Sequence, residues 1–434
     1  MDKMADVLGR AGAWCGQNKY LSAIKNAFQN FMPLTIAGAI GVLWCNVLVN
    51  DQTGLGLFFK PIMALDFLNP AFQAVNFCTI SCITVGITLG IAQEIGVWNM
   101  GAEKAGYIPG LVGLAAWLSV TNTSHMVEGA KEAFTGIAGN ELGATGLFTG
   151  MIIGVLSVEL FCFFEKQDAL KIKMPEQVPP GVARAFEVLV PATLTLIITA
   201  CIGSACYNLT GLYLNDVIKN GIQGPLGAVG ATIPGVMIIY LVIMLFWLVG
   251  IHGNNMLSAV KEALFTPLAL ENVEKFNKGE KPTNIINMYA LQMWGEFGGS
   301  GVTIGLVIAI MIFGKREDNK AIATLSLVPG LFNINETVTF GIPMVLNPIL
   351  GIPFVVAPLI TIIIGYVLTV IGFCPVACLT VPWTTPPIVF GFLACGANVM
   401  GAVTQAILIV VSTVIYVPFL IAYEKYQNKQ AAEA

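Results

Sequence analysis

The chain has 434 residues, 56% hydrophobic and 11% charged, with a formal net charge of −4. Soluble domains carry about 25% charged residues, so this composition excludes an ordinary soluble protein and describes an all-α, polytopic membrane protein. No basic stripe or recognition motif supports nucleic-acid binding.

The first 30 residues hold Lys3, Arg10, Lys19 and Lys25 without a continuous apolar core, which excludes a signal peptide. Leu21, Ile24, Phe28 and Phe31 recur at helical spacing and predict an amphipathic helix lying on the membrane. Spans need ~20 mostly apolar residues. They are predicted at Pro33–Val49, Ala71–Ala92, the shorter Ile108–Val120, Leu147–Phe164, Val188–Tyr207 and Ala228–Gly250. A glycine-rich loop precedes Leu147, and a polar break runs from Glu165 to Pro180. Lys261–Lys281 is charged and predicts a solvated loop or helix. Ile285–Gly314 is apolar but split by Phe297-Gly-Gly-Ser-Gly301, so it is either one long span or a hairpin with the glycines at its tip. Lys315–Lys320 is polar, and Ala321–Phe332 is a short apolar run. Val355–Phe373 spans, Pro382–Gly396 is broken by proline and glycine, and Ala402–Ala422 is the last span.

Lysine and arginine cluster at 3–25, 166–184, 261–281, 315–320 and 425–429. The positive-inside rule makes these regions, and both termini, cytoplasmic. An even number of crossings follows. The expectation is about ten transmembrane helices with two re-entrant hairpins, as in transporters built from discontinuous helices. Residues 1–225 read as a scaffold and dimerisation half. Residues 226–434 read as the transport half, because they hold all the polar interruptions.

The first interruption is Leu331–Pro343, which sets Glu336 behind Asn333 and Asn335 in apolar surroundings. An ionisable group at membrane depth is expensive and marks a functional site unless it merely holds a turn. A carboxylate accepts charge-assisted hydrogen bonds from sugar hydroxyls, and the two amides add donors and acceptors. The second is Gly250-Ile-His-Gly-Asn-Asn255. His252 either sits at the interface or exchanges a proton with a hydroxyl, with Asn254 beside it. The third is Val381-Pro-Trp-Thr-Thr-Pro-Pro387. Trp383 on rigid backbone suits the apolar face of a pyranose, or else belongs to an interfacial belt; Thr384 adjoins it. Gly299 lets backbone approach a ligand, or packs helices. Trp294 and Glu296 are weaker candidates. Glu94 and Glu159 suit structural hydrogen bonds, and His125 suits a surface loop. The ten cysteines show no C-x-x-C pair with histidine partners, so they read as small buried hydrophobes and no metal is expected. The three interruptions are expected to meet in one cavity that holds a sugar.

Trp247-Leu-Val-Gly-Ile-His-Gly-Asn-Asn255, Phe332-Asn-Ile-Asn-Glu336, Gly341–Pro348 and Pro382-Trp-Thr-Thr-Pro-Pro387 resemble the lactose/cellobiose/chitobiose family of enzyme IIC permeases of the bacterial sugar phosphotransferase system. Ala23–Phe28, Pro33–Gly38 and Met174–Pro180 fit too, so the likeness covers most of the chain. Thr337 departs from it, since that family usually has proline there. The resemblance implies a homodimer in the bacterial plasma membrane, importing a β-linked disaccharide by an elevator-like movement. It implies phosphorylation of the 6-hydroxyl by phosphocysteine on a separate cytoplasmic IIB protein, with no cofactor. Glu336 and His252 would meet that hydroxyl, and Trp383 would stack on the sugar. No soluble extension follows residue 424, so the IIB protein is expected to dock near 166–184, 261–281 or 315–320. The rival expectation is an ion-coupled symporter using Glu336. An intramembrane hydrolase lacks its motifs.

Overall fold

Unpaired backbone polar groups are costly in hydrocarbon, so a chain this apolar closes its hydrogen bonds within helices. The computed structural model describes residues 10, 13–14, 17–51, 55–125, 134–175, 177–342 and 344–433. The principal helices are α1 (Lys19–Leu43), α2 (Ile83–Met100), α3 (Ile108–Val120), α4 (Ala144–Glu165), α5 (Pro180–Thr210), α6 (Ile233–Leu248) and α7 (Gly253–Asn277). They continue with α8 (Met288–Gly295), α9 (Ile304–Phe313), α10 (Glu317–Leu331), α11 (Glu336–Gly341), α12 (Gly351–Val370), α13 (Val389–Ala394) and α14 (Val399–Glu433). Among the described residues the only sheet is a two-stranded antiparallel ladder pairing Ser124 with Thr135 and His125 with Phe134. The tip of the predicted glycine-rich loop, 126–133, lies outside the described residues, as do 1–9, Glu176 and Pro343.

Among the described residues, Lys19–Leu48, α4, α5, α12 and α14 are long and apolar enough to cross a membrane. Lys60–Ser81 with α2 makes a sixth if counted as one span bent by 42°. Helices α3, α6 and α9 are shorter and apolar.

Several boundaries differ from expectation. The predicted surface helix and first span form one continuous helix, α1, with Pro33 inside it. The predicted span Ala71–Ala92 is interrupted by a π-turn at Phe77–Ser81, where the Thr79 hydroxyl donates to the Val75 carbonyl (2.6 Å). Such back-bonding bends helices. Lys261 and Glu165 were expected in water, yet they are 6% and 1% exposed, because each has an opposite charge beside it.

The chain divides into two compact units. One comprises Gln17–Gly38 and Ala74–Ala228, and its core includes Ala116, Trp117, Val120 and Ile153. Helices α2 and α3 approach closely there: a Cβ on Gly113 would lie 2.3 Å from that of Ala92. At one end of α4, Glu165 is paired with Lys104 (2.8 Å) and Arg184 (3.0 Å). The other unit comprises Ala39–Gln73 and Val229 onward, with Trp294, Phe354 and Tyr416 fully buried. It contains every polar interruption named above.

Candidate functional site

The turn between α10 and α11 places Asn333 at φ +62°, a conformation asparagine tolerates better than most residues. Its Oδ1 accepts from the Gly298 N–H (2.6 Å). Its Nδ2 donates to the carbonyls of Trp383 and Thr385, the latter at 3.1 Å. One amide thereby ties the Glu336 stretch to the glycine turn and to the tryptophan segment. Asn335 is 4% exposed and donates to the Ser300 carbonyl (2.8 Å). Gly299 sits at φ +88°, and a Cβ there would come 2.6 Å from the Asn335 Cβ. Only glycine meets both demands. Two further turn carbonyls are satisfied: the Thr303 hydroxyl donates to Gly298 O (2.6 Å) and the Tyr416 hydroxyl to Gly301 O (2.7 Å).

Gly250, at φ +81°, turns the chain out of α6 so that His252 caps α7. The imidazole Nδ1 accepts the Asn255 N–H (3.3 Å). In the neutral ring the proton therefore sits on Nε2. That nitrogen lies 3.9 Å from Glu336 Oε1, with the two side chains 38% and 47% exposed. The gap exceeds a direct hydrogen bond. Trp247 backs the imidazole at 4.4 Å between ring centres and is itself 2% exposed. Trp383 is 45% exposed on its rigid segment, and Thr384 beside it is half-buried.

The expected residues thus separate by role in the geometry. Glu336, His252 and Trp383 offer accessible side chains, whereas Asn333, Asn335 and Gly299 make the contacts that hold the turns together. Asn254 donates to Ser300 Oγ (2.9 Å). Sequence reasoning passed over Ser300, Lys261 and Tyr240, and gave Glu296 little weight. Lys261 is bonded to Glu296 and to Asn254 Oδ1 (3.5 Å), and the Tyr240 hydroxyl donates to Glu296 Oε1 (2.7 Å). The signal was the spacing of Asn254 and Lys261, two helical turns apart on one face of α7. Among the described residues no group of three or more His, Cys, Asp or Glu is placed to hold a metal. His125 belongs to the other unit, on the short ladder.

A helical, multi-pass membrane protein with His252 and Glu336 facing one another among apolar helices is the class that this fold and these residues define. A family model described as "Phosphotransferase system, EIIC" matches residues 25–358. The PTS system oligo-beta-mannoside-specific EIIC component of Bacillus subtilis (strain 168) is 32% identical over 98% of this chain and 94% of its own. The PTS system cellobiose-specific EIIC component of Lactococcus lactis subsp. lactis (strain IL1403) is 30% identical, covering 98% of both chains. The crystal structure of the transporter ChbC, the IIC component from the N,N'-diacetylchitobiose-specific phosphotransferase system, superposes with a TM-score of 0.88 at 29% identity, covering 97% of each chain. This chain belongs to the phosphotransferase system EIIC family. It is a membrane permease component of a sugar phosphotransferase system and a multi-pass protein of the bacterial plasma membrane.

Proposed function

We propose that the protein imports a β-linked disaccharide of the cellobiose, chitobiose or lactose type while its 6-hydroxyl is phosphorylated by a separate IIB protein. The observation that carries this reading is the open 3.9 Å gap between His252 Nε2 and Glu336 Oε1. A hydroxyl oxygen about 2.8 Å from both atoms closes a triangle over that gap. It would accept from the imidazole N–H and donate to the carboxylate. As the oxygen attacks phosphorus, its proton passes to Glu336. The O–P bond forms, the S–P bond of the IIB phosphocysteine breaks, and the thiolate leaves on IIB. Positioning and proton removal are the contributions that phosphoryl transfer asks of the permease.

Trp383 offers its exposed ring to the apolar face of a sugar, with Thr384 and Asn254 at the margins. Residues 226–434 carry the transport half and 1–225 the scaffold, through which two copies form a homodimer. The IIB protein docks on the cytoplasmic side, where the charged regions 166–184, 275–281 and 315–320 lie with both termini. Lys261 is excluded from that docking surface by its burial. Membrane vesicles given phosphoenolpyruvate, the soluble phosphotransferase proteins and each disaccharide in turn should accumulate sugar phosphate. Accumulation of free sugar that collapses with an uncoupler and ignores phosphoenolpyruvate would instead support an ion-coupled symporter.

A further inference from the structure

The same unit holds a buried ion pair that the reaction above does not use. Lys261 is 6% exposed and bonds Glu296, which also accepts from the Tyr240 hydroxyl. Tyr240 is 1% exposed, and the ammonium lies 5.5 Å from the centre of its ring. Burying two charges to hold one another is rarely the most stable solution: well-packed apolar residues of similar volume often do as well or better. What the pair touches points to another use. Lys261 reaches Asn254 Oδ1 (3.5 Å), two residues beyond His252. Asn254 Nδ2 donates to Ser300 Oγ (2.9 Å), and the Ser300 carbonyl accepts from Asn335 (2.8 Å), which directly precedes Glu336. The chain of contacts from Lys261 therefore ends beside both members of the open gap.

We infer that Lys261, held by Glu296, is a positioning residue that sets the separation of His252 and Glu336 through Asn254 and Ser300. The inference rests on the reading that those two groups act on the sugar hydroxyl. Lysine suits the task because its ammonium donates three hydrogen bonds and accepts none. It holds Asn254 with its oxygen towards Lys261 and its amino group towards Ser300. A side chain without that donor leaves the amide free to turn over, and the contact with Ser300 is lost.

The test uses purified full-length protein with the soluble phosphotransferase components, reading sugar phosphorylation and sugar affinity separately. K261M is expected to lower kcat at least tenfold while Kd for the sugar stays within threefold. E336Q tests the underlying reading first: wild-type turnover in that variant overturns the site assignment itself. With E336Q impaired, K261M added to it should cost no more than twofold further, since both changes then act on one step. Full additivity of the two losses overturns the positioning role, as does wild-type kcat in K261M. Should K261M not yield monodisperse protein, K261M/E296M removes both charges together and is read in the same way. Wild-type turnover in that double variant shows that the pair serves packing alone and overturns the inference.

Discussion

His252 does two things at once, and they can be separated by choice of substituent. Its Nδ1 caps α7 while its Nε2 faces Glu336. Asparagine is a good cap, so H252N should leave thermal stability in detergent nearly unchanged yet remove the N–H aimed at the hydroxyl. H252A should cost about 1 kcal/mol of stability as well. Equal sugar phosphorylation by H252N and wild type would remove the imidazole from the reaction. For Glu336, general-base catalysis is worth about 10²–10⁴-fold, which is the loss of turnover expected of E336Q in folded, inserted protein. Gly299 is a different kind of residue. G299A meets both a positive φ and the Asn335 side chain 2.6 Å away. Overpacking of this sort costs about 1–3 kcal/mol, and a wild-type melting temperature would contradict it.

At the scale of elements, α10 delivers the site from one end and is anchored at the other. Glu424 of α14, 6% exposed, accepts from the backbone N–H groups of Lys315 (2.9 Å) and Arg316 (3.3 Å) and from Asn319 Nδ2 (3.2 Å). It thus satisfies the chain where it enters α10. E424A removes the acceptor of the two backbone N–H groups, while Asn319 Nδ2 keeps Gln427 Oε1 (2.9 Å); losses of this kind run to about 1–3 kcal/mol, and thermal unfolding of purified protein measures it. On the same turn, the Arg316 guanidinium bonds Asp318 and holds its carboxyl below the ordinary aspartate range. A depressed carboxyl stabilises above its unfolded-state value, and that contribution fades as pH falls through the folded-state value. The melting temperature of wild type should therefore exceed that of D318N at neutral pH and converge with it on acidification. The glycine-rich split between α8 and α9 was visible in sequence as a composition change, whereas the start of α7 at Gly253 and the extension of α14 to Glu433 were not. The unbroken passage of α1 through Pro33 was not, because a proline reads as a boundary until tertiary neighbours are known.

For the whole molecule, the membrane class and the polar stretches were legible because charge is so scarce that each exception stands out. Glu336, His252 and Trp383 became candidates that way. The division of labour among the polar residues was not legible. Asn333, Asn335 and Gly299 read as ligand groups in a string of letters, and only their distant partners, Trp383, Ser300 and Gly298, show that they also brace turns. Lys261 escaped for the converse reason: it opens a charged run whose other lysines are half-buried, Lys275, or exposed, Lys278 and Lys281. The charge pattern also makes a topological prediction. Single cysteines replacing Lys278 or Asn428, in a background freed of native cysteines, should react with an impermeant maleimide only in inside-out vesicles. Labelling from the outside would invert the assigned orientation. The bonds from Asn333 to Gly298, Trp383 and Thr385, together with Tyr416 on Gly301, stitch four separate stretches into one block. Bonds of this kind resist separation of the stretches they join. If the proposed import is right, the movement that carries the sugar is expected to fall on the connections outside these four stretches, which would travel as one piece.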